Sequence, residues 1–200
     1  MASAVKGGAV LFSEMTPPED GEDVFNNWYD NHHMPSHIQS VPGFLSGHRY
    51  RSANGPYYLA IYELDSPEAL EHQEYRKRKF TPDAPTKAML DEVTGFSRYI
   101  ASERRFYIRD SLGFDPIDAD VIIAVFFKVP GDRHNELMHW HETEHSPKLM
   151  ENRGWLMVRH MEIHDYNPDP YTHLFLHYCL LYTSDAADEG LGVDLGGRRI

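Results

Sequence analysis

Apolar residues along this chain fall into two kinds of pattern. Gly8 to Met15 and Val121 to Val129 are compact runs rich in Val, Ile and Phe, and each predicts a buried strand. Between Glu19 and Met34, residues Val24, Phe25, Trp28 and His32 recur at helical spacing and predict an amphipathic helix. Asp132 to Ser146 repeats that pattern, with Leu137, Met138 and Trp140 expected inward. Pro35 and Pro147 are expected to end or kink these helices, because proline lacks the donor that the next turn needs. Phe44 to Ser52 and Tyr57 to Leu64 read as a hairpin across Ala53-Asn54-Gly55-Pro56. Ser66-Pro67-Glu68 supplies a cap, a first-turn proline and an early acid for a helix reaching about Lys79. A proline-rich stretch, Thr81 to Pro85, precedes a fourth strand at Arg98 to Ile108.

Strand, helix, hairpin, helix, strand is a ferredoxin-like βαββαβ unit. The second half repeats its opening. Trp28 and Trp140, Asp30 and Glu142, His33 and His145, and Pro35 and Pro147 align without a gap, with apolar runs on both sides. The predicted fold is therefore α+β: two tandem ferredoxin-like units that close sheet against sheet into an intrachain α+β barrel, the second unit truncated. The expected division is a first repeat over 8–109, a linker over 110–119, an incomplete second repeat over 120–178, and a tail over 179–200. In that tail, the run from Cys179 to Ile200 loses all periodicity. It resembles translated sequencing-adapter read-through and is expected to be non-native. An edge left open by the missing strand would favour self-association.

Charge and composition narrow the function. A net charge of −12 argues against nucleic acid and anionic membranes as partners, since either needs a basic patch. The basic run Arg76 to Lys79 is short and reads as a helix end that complements the dipole. No apolar run is long enough to span a bilayer, there is no secretory pattern at the N-terminus, and the single cysteine suits a reducing compartment; a cytoplasmic location is expected. No nucleotide-binding loop or nucleophile elbow is present. Thirteen histidines remain as the conspicuous chemical resource.

His33 and His145, repeated near the ends of the first helices, are the candidate general acids or bases. Tyr29 and His141 stand one turn earlier on the same face and could orient the imidazoles or share a proton with them. Asp30 and Glu142 are close enough in sequence to tune them or to form a solvated face. His160, Glu162 and His164 alternate on one strand, and His48 and Tyr50 hold the comparable stretch of the first copy. Whether these five face a ligand cavity or solvent depends on a one-residue register that sequence leaves open. His141-Glu142-Thr143-Glu144-His145 matches the zinc-protease pattern letter for letter. The first copy reads Tyr29 in place of His141, and Pro147 should stop the helix, so no metal is expected.

The His33-Met34-Pro35 helix end followed by Pro42-Gly43-Phe44 and a strand resembles the EthD-like branch of the dimeric α+β barrel superfamily. His145-Ser146-Pro147 with Gly154-Trp155 is a weaker second instance. The resemblance covers roughly residues 8–178. It implies a cofactor-independent lyase, isomerase or cyclase acting on a small apolar or aromatic metabolite, with histidine moving the proton. A non-catalytic binding or accessory protein and a haem-binding barrel are the alternatives.

Overall fold

The computed structural model describes residues 6–109 and 115–180, together with the backbone of 196–199. The first half runs β1 (Ala9–Thr16), α1 (Glu22–Trp28), a π-helical turn (Tyr29–His33), α2 (Met34–Ser40), β2 (Phe44–Ser52) and β3 (Tyr58–Leu64). It continues through a 3-10 turn (Pro67–Glu71), α3 (Gln73–Phe80), α4 (Ala84–Glu92) and β4 (Thr94–Ile108). The second half holds β5 (Val121–Phe127), α5 (His134–Trp140), a second π-helical turn (His141–His145), α6 (Ser146–Glu151), β6 (Trp155–Asn167), β7 (His173–Cys179) and β8 (Gly196–Arg199).

The eight strands form a closed barrel in the order β1-β3-β2-β8-β5-β7-β6-β4. Each half lays its strands in the same sequence, β4-β1-β3-β2 and β8-β5-β7-β6, and the halves meet at β2 with β8 and at β6 with β4. All the pairings are antiparallel. The expected α+β barrel is thus the fold observed. Two described stretches of the supposed tail are part of the sheet. Cys179 ends β7 opposite Val121, and Gly196–Arg199 take in the second half the place that β4 has in the first. Residues 181–195, on which the rest of that reading falls, lie outside the described residues.

Strand alternation sorts side chains to two faces. Val10, Phe12, Tyr50, Ile61, Tyr99, Ile122, Leu174 and Leu176 point inward and fill the barrel. Leu11, Met15, Tyr58, Tyr62 and Leu64 point outward and pack beneath the helices with Phe25, Trp28 and Tyr29. The expected linker also enters the interior, since Ile117 is fully buried in the barrel core behind a 3-10 turn (Pro116–Asp118) that Asp115 caps. Among the described residues no helix is long and apolar enough to cross a membrane.

Two helix expectations need correction. Val24 is 63 % exposed, because only Phe25 and Trp28 of α1 reach the core. The prolines do not end the helices. In both halves the ladder widens for one turn just before the proline: the Met34 N–H donates to the Tyr29 carbonyl, and the Ser146 N–H to that of His141. A proline ring inside an α-helix strikes the carbonyl four residues back. The wider i to i+5 spacing moves that carbonyl aside, and the chain continues as α2 and α6. The basic run also lies in a helix distinct from the next one, since Asp83 starts α4 by accepting from the Thr86 N–H.

Candidate functional site

The π-helical turn of the first half carries Tyr29 and His33 onto one side, with ring centroids 5.0 Å apart. Both line a cavity of about 410 Å³ between the helices and the outer face of the sheet. His37, one further turn along, and Tyr62 from β3 and Tyr75 from α3 complete its apolar wall. The His33 ring lies on Trp28 at 4.4 Å and meets His37 edge-on at 4.7 Å. His37 is held by its Nδ1, 2.8 Å from the His33 carbonyl oxygen. Burial keeps the His33 pKa well below its ordinary value, and His37, His32 and Arg49 push the same way, so the imidazole is held neutral. Burial likewise pushes the Tyr29 pKa up to about 12, which keeps its hydroxyl protonated. The Tyr62 hydroxyl donates to that of Tyr29 at 3.5 Å, and the Arg49 guanidinium sits 4.4 Å from the Tyr29 ring centre.

Asp30 does not tune His33. It pairs with Arg49, whose other nitrogen donates to Asn26 at 2.7 Å. Glu142 likewise pairs with Arg105. Lys77, Arg78 and Lys79 from the basic run line the cavity beside Arg98. The run is the expected exposed helix end, with Lys77 to Lys79 in the last turn of α3, and it borders the cavity as well. His37 could have been found, as it continues the i, i+4 series from Tyr29 and His33; Tyr62 and Tyr75 depend on tertiary packing alone.

The second half builds its helix side from histidines. His141 takes the place of Tyr29, His145 that of His33, and His177 that of Tyr62. His145 rests on Trp140 at 4.4 Å, as His33 does on Trp28. His134, His173, His160, His141, His145 and His177 form a row in which each ring centre lies within 6.0 Å of the next. Burial, with the neighbouring rings, lowers His141 and His160 to about 3 and His177 to about 4. His160 is 1 % exposed, stacked between His173 and Phe175, and neither of its ring nitrogens has a hydrogen-bond partner. The helix does run on past Pro147, so that part of the case against zinc falls away. The geometry supplies another: the motif lies in a π-helical turn, Ser146 Oγ sits 3.1 Å from His141 Nε2, and Glu142 is engaged by Arg105. Among the described residues no three acidic, histidine or cysteine side chains converge as a metal site.

The remaining candidates divide between the two faces. Tyr50 is in the barrel core, and His48, two residues away on β2, shares its inward face. Tyr50 borders a second cavity, of about 670 Å³, at one end of the barrel. His160, Glu162 and His164 face the helix side. Glu162 pairs with Arg104, and the exposed His164 has its Nε2 2.8 Å from Ser102 Oγ. The helix-borne histidines and the inward-facing Tyr50 and His48 therefore do not share a space. The sheet itself stands between them, because helices cover its outer face while the barrel encloses the inner one. Of these two cavities only the helix-side one has histidines among its described lining residues, and there His33 and His37 are the nitrogens that could ligate a haem.

No family model matches the sequence, and no curated protein does. Solved structures do match in shape. An anthrone oxidase-like protein aligns with a TM-score of 0.67 at 12% identity, over 95% of this chain and 81% of its own. A putative monooxygenase from Lactobacillus acidophilus NCFM aligns at 0.52 and 10% identity, over 85% and 76%. A putative chlorite dismutase aligns at 0.52 and 14% identity, over 96% and 95%. At these identities the likeness establishes the α+β barrel fold.

Proposed function

We propose that this chain is a cytoplasmic small-molecule enzyme whose site is the helix-side cavity of the first half, with His33 as the proton-transferring base. The observation that carries the reading is a neutral imidazole beside a protonated phenol at the wall of a cavity. An imidazole held neutral keeps an unprotonated ring nitrogen across the physiological range, and a developing negative charge on a bound substrate would raise its proton affinity for the transfer. The Tyr29 hydroxyl can donate a hydrogen bond to the oxygen where charge then collects, and Lys77, Arg78 and Arg98 favour an anionic product of deprotonation. The aromatic wall suits a compact aromatic substrate with an acidic C–H or O–H. Lyase, isomerase and cyclase reactions can each begin with such a step. The likeness to an anthrone oxidase-like protein supports a second reading, in which the deprotonated substrate is then oxidised by dioxygen. A non-catalytic binding protein and a haem-binding barrel ligated by His33 are the alternatives. Membership of the EthD-like branch and tandem duplication belong to the same proposal; the shared strand order of the two halves supports the duplication, while β8 closes the edge through which self-association was expected.

The test is hydrogen–deuterium exchange into the methylene group of anthrone in D2O, followed by NMR. The protein should accelerate exchange over buffer, with the acidic limb of the pH profile lying below pH 6.5 because His33 must be neutral to act. His33→Gln should slow exchange about 100-fold or more. Unchanged exchange in that variant, with the fold intact, would remove His33 from the chemistry. An absorbance spectrum of the purified protein checks the haem alternative.

A further inference from the structure

The barrel-end cavity lies on the opposite face of the sheet from His33 and has a chemistry of its own. Its rim is formed by exposed residues of the β2–β3 turn and the β6–β7 connection, such as Asn54 and Asp169. Deeper in, Tyr99, Phe126 and Tyr171 make an aromatic corner, with ring centres 4.7 Å apart for Tyr99 and Phe126 and 5.1 Å for Phe126 and Tyr171. Beside them stands Glu14, an acid set in the otherwise apolar run of β1. The Ser97 hydroxyl donates to Glu14 Oε2 at 2.6 Å, and the Tyr57 hydroxyl bonds to the same carboxyl. Both hydroxyls favour the ionised carboxyl, against burial, which raises its pKa. The charged residues described on its lining are Glu14 and Asp169.

A carboxylate beside the faces of several aromatic rings, in a cavity large enough for a small molecule, is the arrangement that recognises an organic cation. The rings contribute attraction through their negative faces, and the carboxylate supplies the counter-charge. We propose that the barrel-end cavity binds a protonated amine with an apolar or aromatic body, and that Glu14 is its counter-ion. The site is independent of the proposed reaction at His33. Burial raises the Glu14 pKa, Ser97 and Tyr57 opposing it, so a bound cation would favour the ionised carboxyl and binding should weaken as the solution is acidified.

Calorimetric titration of the full chain with benzylamine and with benzyl alcohol, at pH 8 and pH 5, tests this. Benzylamine should bind at pH 8 at least tenfold more tightly than the alcohol, and more weakly at pH 5. Glu14→Gln should lose that tenfold preference while its circular dichroism stays that of the parent. Ala124→Trp, which fills the cavity from β5, should abolish binding of both compounds and covers the case in which the Glu14 variant does not fold. His33→Gln should leave benzylamine affinity unchanged. Equal affinity for amine and alcohol, no binding of either, retention of the preference in Glu14→Gln, or loss of amine binding in His33→Gln would each overturn the proposal.

Discussion

Arg159 of β6 and Glu63 of β3, 96 positions apart in sequence, meet at 2.6 Å inside the barrel with both side chains fully buried. The rest of the guanidinium is also engaged. Its Nε donates to Glu103 at 2.6 Å, one Nη to the Tyr178 hydroxyl at 3.1 Å, and the other to the Gly7 carbonyl at 3.0 Å. Glu63 in turn accepts from the Gly7 N–H at 2.8 Å. Residues of both halves and the segment before β1 therefore converge on one cation.

Removing that cation leaves the fully buried Glu63 carboxylate without its counter-charge, while Glu103 keeps its pair with Lys6. Arg159→Met is expected to cost about 3 to 5 kcal/mol in urea denaturation, since breaking a buried pair strands its partner. The double variant R159M/E63L should regain part of the loss, because fewer unpaired charges then remain inside.

The histidine row makes stability depend on pH with a definite sign. His141, His160 and His177 have folded-state values of about 3, 3 and 4, against 6.5 when unfolded. Below pH 6.5 the unfolded chain takes up protons that the folded chain refuses, so stability is full above that value. It should fall progressively towards pH 3 to 4. Thermal melts should show a continuous decrease in Tm from pH 6.5 to 4.5. His160→Phe should flatten that decrease and raise stability at pH 7 by about 1 to 3 kcal/mol, since it replaces two buried nitrogens without partners by an apolar ring. A destabilised H160F protein would mean that the imidazole is satisfied in some other way.

Gly43 in the Pro-Gly-Phe turn has φ +88°, and a Cβ there would come within 2.6 Å of the Ala69 Cβ and 2.7 Å of Asp65 Oδ1. Neither neighbour can yield easily. Gly43→Ala should therefore cost about 1 to 3 kcal/mol. Gly131→Ala, where a Cβ meets nothing within 4 Å, should change stability by less than about 0.5 kcal/mol. Chemical denaturation of the pair separates turn conformation from a general effect of losing glycine.

The strands and the first helix of each half were readable because apolar runs and helical spacing are local signals. The same spacing brought Tyr29 and His33 together in advance, as residues four apart must lie on one side of a helix. Beyond single elements the text was silent in specific places. The face taken by His160 depends on bulges, one between Phe44 and Ser46 on β2 and one between Trp155 and Met157 on β6, and hydrophobic pattern does not count the added residue. Glu14 falls inside a run on β1 whose apolar pattern reads as a buried strand, and nothing local marks it as a group that lines a cavity. Pro35 and Pro147 were read by the rule for regular helices, which the wider turn ahead of each of them sidesteps.

Because β1 alternates faces, its neighbouring residues serve separate spaces. Leu11, Ser13 and Met15 line the helix-side cavity, and Glu14 lines the barrel-end cavity. Among the described residues Phe96 alone borders both. A single strand thus carries two interleaved alphabets, and selection can rewrite the odd letters without disturbing the even ones. One point substitution retunes one compartment and leaves the other as it was. A one-residue insertion in β1 would exchange the two sets and spoil both at once. The partition lets this barrel change one specificity at a time, by ordinary single-letter steps.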